Sequence, residues 1–115
     1  MTTKDAARLW AVIGEAAERD GQVRDWLGDS RDVDVVRGTG VPAELRHIYG
    51  ARRTHLAGMG LDVSGIDAFL ANLEEREDEF QLSVYRMTRD GKRVLVFSDD
   101  EAGEVLGWVL LPERA

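Results

Sequence analysis

The sequence predicts an α+β fold in which about three helices precede a three-stranded antiparallel meander. Apolar residues recur at helical spacing in the first two thirds of the chain, and the period changes to two from Phe80 onward. The chain has 115 residues and no cysteine, and this length buries a core without disulfides or thiolate metal sites. We therefore expect a single domain over residues 1–115, with the helices covering one face of the sheet.

The N-terminal segment predicts an amphipathic helix, because its apolar positions between Ala6 and Leu27 follow three-and-four spacing. Asp20 and Gly21 interrupt this stripe, and glycine inside a helix costs about 1 kcal/mol relative to alanine. Two outcomes therefore stay open, one bent helix or two separate helices. After this segment, residues 33–36 alternate weakly and are compatible with a short strand.

Two further helices are predicted in the middle of the chain. Pro42 suits the first turn of a helix, where its missing N–H costs no hydrogen bond, and Gly58 marks the end of that helix. Ser64, with Asp67 three residues later, indicates an acidic capping box at the start of the next helix. That helix ends in the acidic run 74–79, whose charge opposes the negative pole of the helix. We expect fraying there, or a cation close by.

The remaining residues predict the strands of the meander. Period-two alternation covers residues 82–87 and 94–97, and the Asp90-Gly91 pair between them supplies the positive φ values of a tight hairpin turn. A second loop over residues 98–104 leads to a last strand at 105–111. Three strands with one apolar face require a covering layer of helices.

Charge is distributed unevenly along the chain, whose formal net charge is −7. Residues 37–61 carry 4 basic and 1 acidic side chains, whereas residues 62–79 carry 1 basic and 7 acidic ones. An acidic surface attracts basic partners and repels phosphate backbones over about 8–10 Å at physiological salt. The sequence therefore favours a basic protein as the partner and disfavours direct nucleic-acid binding.

The leading functional interpretation is a small acidic, non-enzymatic protein-binding domain of the inhibitor, immunity or adaptor type. Its predicted binding residues come from two segments, the end of the third helix and the second hairpin loop. A short meander could bring the two segments to the same end of the sheet, and the sequence leaves open whether they adjoin. The predicted binding residues are Glu74, Glu75, Glu77, Asp78, Glu79, Asp99, Asp100 and Glu101. A solvated helix end is the common explanation of such an acidic run.

The alternative interpretation is a small enzyme that handles phosphate or nucleotides with residues 37–55, which we call the basic block. Its candidate phosphate-binding residues are His47, Arg52, Arg53 and His55, because guanidinium groups hold a phosphate while imidazoles transfer protons. The two histidines are separated by about 80° around a helix, so they do not share one face. A cationic helix face that pairs with residues 74–79, or with a partner, explains the same block without catalysis.

Two patterns point to nucleotides or DNA, and each meets a physical objection. The run 38–43 fits G-x-G-x-x-A, but Asp34 interrupts the strand before it, whereas a central parallel strand is apolar throughout. The order of helices and hairpin is also that of a winged helix-turn-helix, in which Arg89, Lys92 and Arg93 would form the tip of the wing. The acidic third helix would repel the DNA that such a domain binds.

We assign no catalytic residue, no metal ligand and no cofactor site, since the spacing of histidines and carboxylates matches no known motif. The longest uncharged apolar run, residues 105–111, is far shorter than the roughly 20 residues of a membrane-spanning helix. We therefore expect a cytoplasmic protein without a membrane partner. An N-terminal helix longer than the sheet it covers would favour a homo-oligomer.

Overall fold

The computed structural model describes residues 3–28, 34–74, 81–89 and 91–112, and it contains four helices and four strands there. In chain order they are α1 (Thr3–Arg19), α2 (Gly21–Leu27), β1 (Asp34–Gly40), α3 (Pro42–Gly58), α4 (Ser64–Leu73), β2 (Leu82–Arg89), β3 (Lys92–Asp99) and β4 (Glu104–Pro112). The strands form one antiparallel sheet in the order β1-β2-β3-β4. The predicted α+β class is confirmed, with one more helix and one more strand than expected.

The helices cover both faces of the sheet, which corrects the prediction that they cover one face. On β3, Val94 and Val96 pack into a core with α1 and α2. The intervening Leu95 and Phe97 pack into a second core with α3 and α4. A strand buried on both faces is apolar at every position. Residues 94–97 belong to such a strand. Their continuous apolar character indicates burial on both faces, whereas a strand buried on one face would alternate between apolar and polar residues.

The fourth strand is β1, which residues 33–36 indicated only weakly. It pairs with β2 along its whole length, from Asp34 opposite Thr88 to Gly40 opposite Leu82. β1 is an edge strand with mostly exposed side chains, so its sequence lacks the apolar alternation of a half-buried strand. Its place in the sheet comes from pairing with β2.

The predicted N-terminal stripe divides into two helices at Asp20. The Asp20 Oδ1 atom accepts hydrogen bonds from the backbone N–H groups of Gln22 at 2.9 Å and Val23 at 3.4 Å, and so caps α2. Its Oδ2 atom accepts a hydrogen bond from Trp108 Nε1 at 2.8 Å. A side-chain cap stabilises a helix by about 1 kcal/mol. Here the same carboxylate also ties the junction of α1 and α2 to β4.

The β2–β3 hairpin is attached to the C-terminal end of α2. Arg89 Nη2 donates hydrogen bonds to the carbonyl oxygens of Trp26 and of Leu27, the latter at 3.1 Å, and Trp26 Nε1 donates to the Arg89 carbonyl at 3.2 Å. A cation at this helix end complements the negative pole. Arg89, which a winged helix would present to DNA at its tip, is therefore bound within the protein.

The turn of this hairpin has the predicted two-residue length. Arg89 pairs with Lys92, and Gly91 between them has a φ of 73°, which only glycine adopts without strain. The Asp90-Gly91 prediction is thus confirmed in register, although Asp90 itself lies outside the described residues.

The predicted start of α3 is confirmed, and the predicted capping box of α4 is wrong. Pro42 is the first residue of α3. Ser64 is the first helical residue and the N-cap is Val63, whose side chain has no acceptor, while the Asp67 carboxylate forms an ion pair with Arg53. The backbone N–H of Ser64 donates to Asp62 Oδ1 at 2.9 Å. This hydrogen bond satisfies one of the N–H groups that the helix start leaves open.

α4 lies directly against β4 because two glycines leave no side chain between them. A Cβ atom on Gly65 would overlap the carbonyl oxygen of Trp108, and a Cβ atom on Gly107 would overlap Phe69 Cβ. Below this contact, the rings of Phe69 and Phe97 stack with their centroids 3.9 Å apart. The close approach therefore seals the core between α4 and the sheet.

Replacing Gly65 with alanine is expected to lower the free energy of unfolding by about 1–3 kcal/mol, because the added methyl group meets backbone that cannot move aside. The matched control is Gly14→Ala within α1, where a Cβ atom has nothing within 4 Å. That change is expected to raise the free energy of unfolding by about 0.5–1 kcal/mol. Urea unfolding measures both variants, and similar effects of the two substitutions would contradict the packing argument.

Candidate functional site

Glu74 and the loop between β3 and β4 lie at the same end of the sheet. α4 runs along β4 from Gly65, which contacts Trp108, to Asn72, whose Nδ2 donates to the Leu106 carbonyl at 2.9 Å. The end of α4 therefore lies where β4 begins, at Glu104. The loop between β3 and β4 lies at this end as well. The exposed carboxylates that the structure describes here are Glu74, Glu101 and Glu104, and we call this region the acidic end.

Part of the predicted acidic run cannot be compared with the structure. Four of the predicted binding residues lie outside the described part of the chain, namely Glu75, Glu77, Asp78 and Glu79. Glu74 is described, and it is the exposed C-cap residue of α4. Gln81, the residue before β2, lines the same depression as Glu101.

Asp99 belongs to the internal structure of the loop between β3 and β4. Its side chain is buried with 2% exposure, and its Oδ1 atom accepts hydrogen bonds from the backbone N–H groups of Glu101 and Ala102, each at 3.1 Å. Aspartate stabilises turns in this way because its carboxylate replaces a backbone acceptor. The prediction of Asp99 as a docking residue is therefore corrected, whereas the Glu101 side chain is exposed as that role requires.

Asp100 is the centre of a polar cluster that links three strands. Its Oδ2 atom accepts hydrogen bonds from Ser83 Oγ at 2.5 Å, Tyr85 Oη at 3.0 Å and Arg37 Nη2 at 3.3 Å. Its Oδ1 atom accepts one from Ser98 Oγ at 2.6 Å. We call these five residues the Asp100 cluster. Sequence reasoning missed it, because its members are scattered over four segments with no common motif.

The Asp100 cluster stabilises the charged form of its carboxylate. Burial alone would raise the pKa of Asp100, but hydrogen bonds from Ser83, Ser98, Tyr85 and Arg37 outweigh it, and the pKa lies below its ordinary value. Burial and the hydrogen bond to Asp100 raise the pKa of Tyr85, so its phenol stays a donor. The Asp100 side chain is 11% exposed. This corrects its prediction as a docking carboxylate, since its oxygens already accept hydrogen bonds from within the chain.

Two arginines of the basic block bind groups on α4. Arg53 forms a two-point ion pair with Asp67, from Nε to Oδ1 at 2.8 Å and from Nη2 to Oδ2 at 3.2 Å. The hydrogen bond from Arg53 lowers the pKa of Asp67. Arg46 Nη2 donates to the carbonyl oxygen of Leu73 at 3.2 Å. Arg46 is thus the cation that the acidic helix end led us to expect.

The four alternative phosphate-binding residues lie on α3. His47 and His55 are both exposed on α3. Three surface depressions are described, and their lining contains none of the four candidates His47, Arg52, Arg53 and His55. The glycine pattern at residues 38–43 also lacks its required context, because β1 is an antiparallel edge strand rather than the central parallel strand of a dinucleotide fold.

A groove lies between β1 and α3, and its lining combines apolar side chains with the charged residues Glu44 and Arg86. Among the described residues, three large apolar side chains are exposed, Val36 at 60%, Ile48 at 43% and Met59 at 49%. Val36 and Ile48 line the same groove, whose volume is about 210 Å³. Its other apolar lining residues are Leu45, Tyr49 and Val84. Sequence reasoning missed this β1–α3 groove, because Val36 and Ile48 belong to different elements that only tertiary packing brings together.

The two edges of the sheet differ in how they are covered. At the β4 edge, α4 packs against the strand, and Asn72 binds the Leu106 carbonyl. At the other edge, β1 is exposed at five of its seven positions, and β2 is the one described element with extensive contact to it. β1 also lacks the proline and lysine that commonly protect an edge strand. Within the described part of the molecule, β1 is therefore the open edge.

No protein-family model, no curated protein and no solved structure matches this chain. Over residues 3–28, 34–74, 81–89 and 91–112, no helix combines the length and apolar character needed to cross a membrane. Across the same ranges, no three histidine or carboxylate side chains are grouped as metal ligands.

Replacing Asp100 with asparagine is expected to destabilise the protein more at neutral than at acidic pH. Because the pKa of Asp100 lies below its ordinary value of 3.8 in the folded protein, its stabilisation is complete above about pH 5 and is lost as the pH falls through the folded-state pKa. At pH 7 the free energy of unfolding of the variant is expected to be about 1–3 kcal/mol lower than that of the parent protein. This difference becomes smaller near pH 3. Urea unfolding of both proteins at the two pH values measures it, and a deficit that does not change with pH would contradict the role of the charge.

Proposed function

We propose that this chain is a non-enzymatic protein-binding domain that engages a basic protein through the acidic end. The observation that carries the proposal is the convergence of exposed carboxylates from two distant segments. Glu74 comes from the end of α4, whereas Glu101 comes from the loop between β3 and β4 and Glu104 from the start of β4. Residues 75–79 extend the same acidic run from Glu74.

The internal pairing of the cations supports this proposal. Arg53 is paired with Asp67, and Arg37 with Asp100, so both arginines are matched by carboxylates of the same chain. The formal net charge of −7 then leaves an acidic field that steers basic partners toward the molecule. Complementary charge of this kind contributes more to association rate and specificity than to affinity.

The proposed partner class follows from the chemistry of the surface. A group of carboxylates presents the same sign of charge as a phosphate backbone, so it suits proteins whose basic surface binds nucleic acid. An inhibitor or immunity factor would act by occupying that surface, and an adaptor would use it for recruitment. In the basic block on α3, Arg53 is paired with Asp67 and Arg46 donates to the Leu73 carbonyl, so two of its cations already have partners within the chain.

Reversing charge at the acidic end is expected to weaken binding more than the same change elsewhere. The test variant is Glu74→Lys with Glu101→Lys, and the control is Glu15→Lys with Glu18→Lys, two exposed residues on α1. Both variants change the net charge equally. With purified basic proteins immobilised at low salt, we expect the test variant to lose at least about tenfold in affinity and the control at most about twofold.

The salt dependence of the same binding provides the second readout. Charge-driven association weakens as salt shortens the Debye length from about 30 Å at 0.01 M to about 8 Å at 0.15 M. We expect the parent protein to lose affinity over this range and the test variant to lose less. Equal weakening of the test and control variants, or affinity that is indifferent to salt, would contradict the proposed function.

A further inference from the structure

We infer that β1 is the docking strand of this domain, and that an extended basic segment of a partner protein adds to it as a fifth strand. This inference rests on the proposed function and specifies how the basic partner is held. An added strand would pair with the outer backbone groups of β1, which β2 does not use. Recognition by strand addition obtains affinity from the backbone and specificity from pockets for alternate side chains.

The first support is the length and openness of β1. The strand has seven residues, Asp34–Gly40, which exceeds the roughly five to six residues of an average strand. It pairs with β2 without a register shift, so its outer edge is continuous. The opposite edge of the sheet is covered by α4. Of the two edges, β1 therefore offers the more accessible row of backbone groups.

The second support is a pair of depressions on opposite faces of β1. The β1–α3 groove, lined by Val36 and Ile48, lies on the face that α3 and α4 cover. A polar depression of about 260 Å³ lies on the other face and is lined by Arg37 and Glu101. Thr39 lines both. Because side chains of a strand alternate between faces, an added strand would direct one row toward the groove and the next row toward the polar depression.

The chemistry of the two depressions identifies the segment that fits. Val36 and Ile48 are 60% and 43% exposed, so apolar side chains in the first row would bury exposed apolar surface. In the polar depression, Arg37 is already paired with Asp100, and Glu101 is an exposed carboxylate. The second row is therefore expected to carry lysine or arginine. A segment in which apolar and basic residues alternate satisfies both faces.

A second copy of this chain fits the open edge less well. Two molecules of net charge −7 repel each other at low salt, whereas a basic segment is attracted. The β1 strand of a second copy would also bring few apolar side chains, since its sequence is DVVRGTG. Charge and side-chain content thus both favour a basic segment of a different protein over self-association.

The test uses a peptide probe matched to β1 in length, in which lysine and valine alternate. The control peptide has the same composition, with its valines placed together. Binding is measured with the full chain by NMR, through chemical shifts and hydrogen exchange of the backbone amides. We expect the alternating peptide to bind at least about tenfold more tightly and to slow exchange at every second amide of β1. Equal affinity for the two peptides would overturn the inference.

Variants of the groove give a second and independent readout. Val36→Lys is expected to weaken binding of the alternating peptide at least about tenfold, because it removes an exposed apolar side chain and adds a positive charge that repels the lysines of the peptide. The matched control is Met59→Lys, which replaces an apolar side chain of similar exposure outside the groove and should change affinity at most about twofold. Thermal unfolding shows whether the two variants are folded. If Val36→Lys is not folded, Ile48→Lys is used in its place.

The outcomes separate this inference from the proposed function. If Val36→Lys leaves binding of basic proteins intact while Glu74→Lys with Glu101→Lys removes it, the acidic end binds the partner and strand addition is wrong. If neither variant affects binding, both proposals are wrong. A concentration-dependent dimer that Val36→Lys dissociates would show a second copy on β1, and it would overturn the basic segment as occupant.

Discussion

The fold depends on one constraint, which is that the central strands are apolar on both of their faces. A strand such as β3 exposes apolar surface above and below the sheet, and each buried methylene contributes about 0.8 kcal/mol. One helical layer would leave half of this surface in water. α1 and α2 on one side, and α3 and α4 on the other, meet the requirement. The position of every helix follows from this need for two covering layers.

Polar contacts then fix how the two layers sit on the sheet. Asp20 and Trp108 join the α1–α2 junction to β4, and Arg89 joins the end of α2 to the hairpin. On the other face, Arg53 and Asp67 join α3 to α4. Apolar burial is non-directional, whereas these hydrogen bonds have defined partners. They select one arrangement among the many that would bury similar area.

Local signals in the sequence account for much of the fold. Pro42 at the start of α3 and the Asp90-Gly91 turn act through backbone geometry alone, so their positions followed from the residues themselves. The α4 capping box failed because α4 begins at Ser64 itself and its N-cap is Val63, while the Asp67 carboxylate pairs with Arg53 of a different helix. Two-sided burial was also missed, although the continuous apolar run 94–97 carries that information.

The candidate sites were less predictable than the fold, because each depends on long-range packing. Glu101 and Asp99 are acidic residues two positions apart, so the sequence does not distinguish their roles. Only the loop geometry exposes the Glu101 side chain and buries the Asp99 side chain. The acidic end required the course of α4 along β4. The β1–α3 groove required the position of α3 relative to an edge strand whose own sequence barely indicates a strand. Composition suggested the sign of the partner's charge, and tertiary structure supplied the candidate surface.

The attachment of β1 has a consequence for the order in which the molecule folds. Its partner strand is distant in sequence, since the bonded residues Arg37 and Ser83 are 46 positions apart, whereas β2, β3 and β4 follow one another through short loops. Closing the longer loop costs more chain entropy, and non-local pairing forms slowly. β1 contributes little to either core beyond Val35. We therefore expect the three-stranded meander and its helices to form first and β1 to join them last.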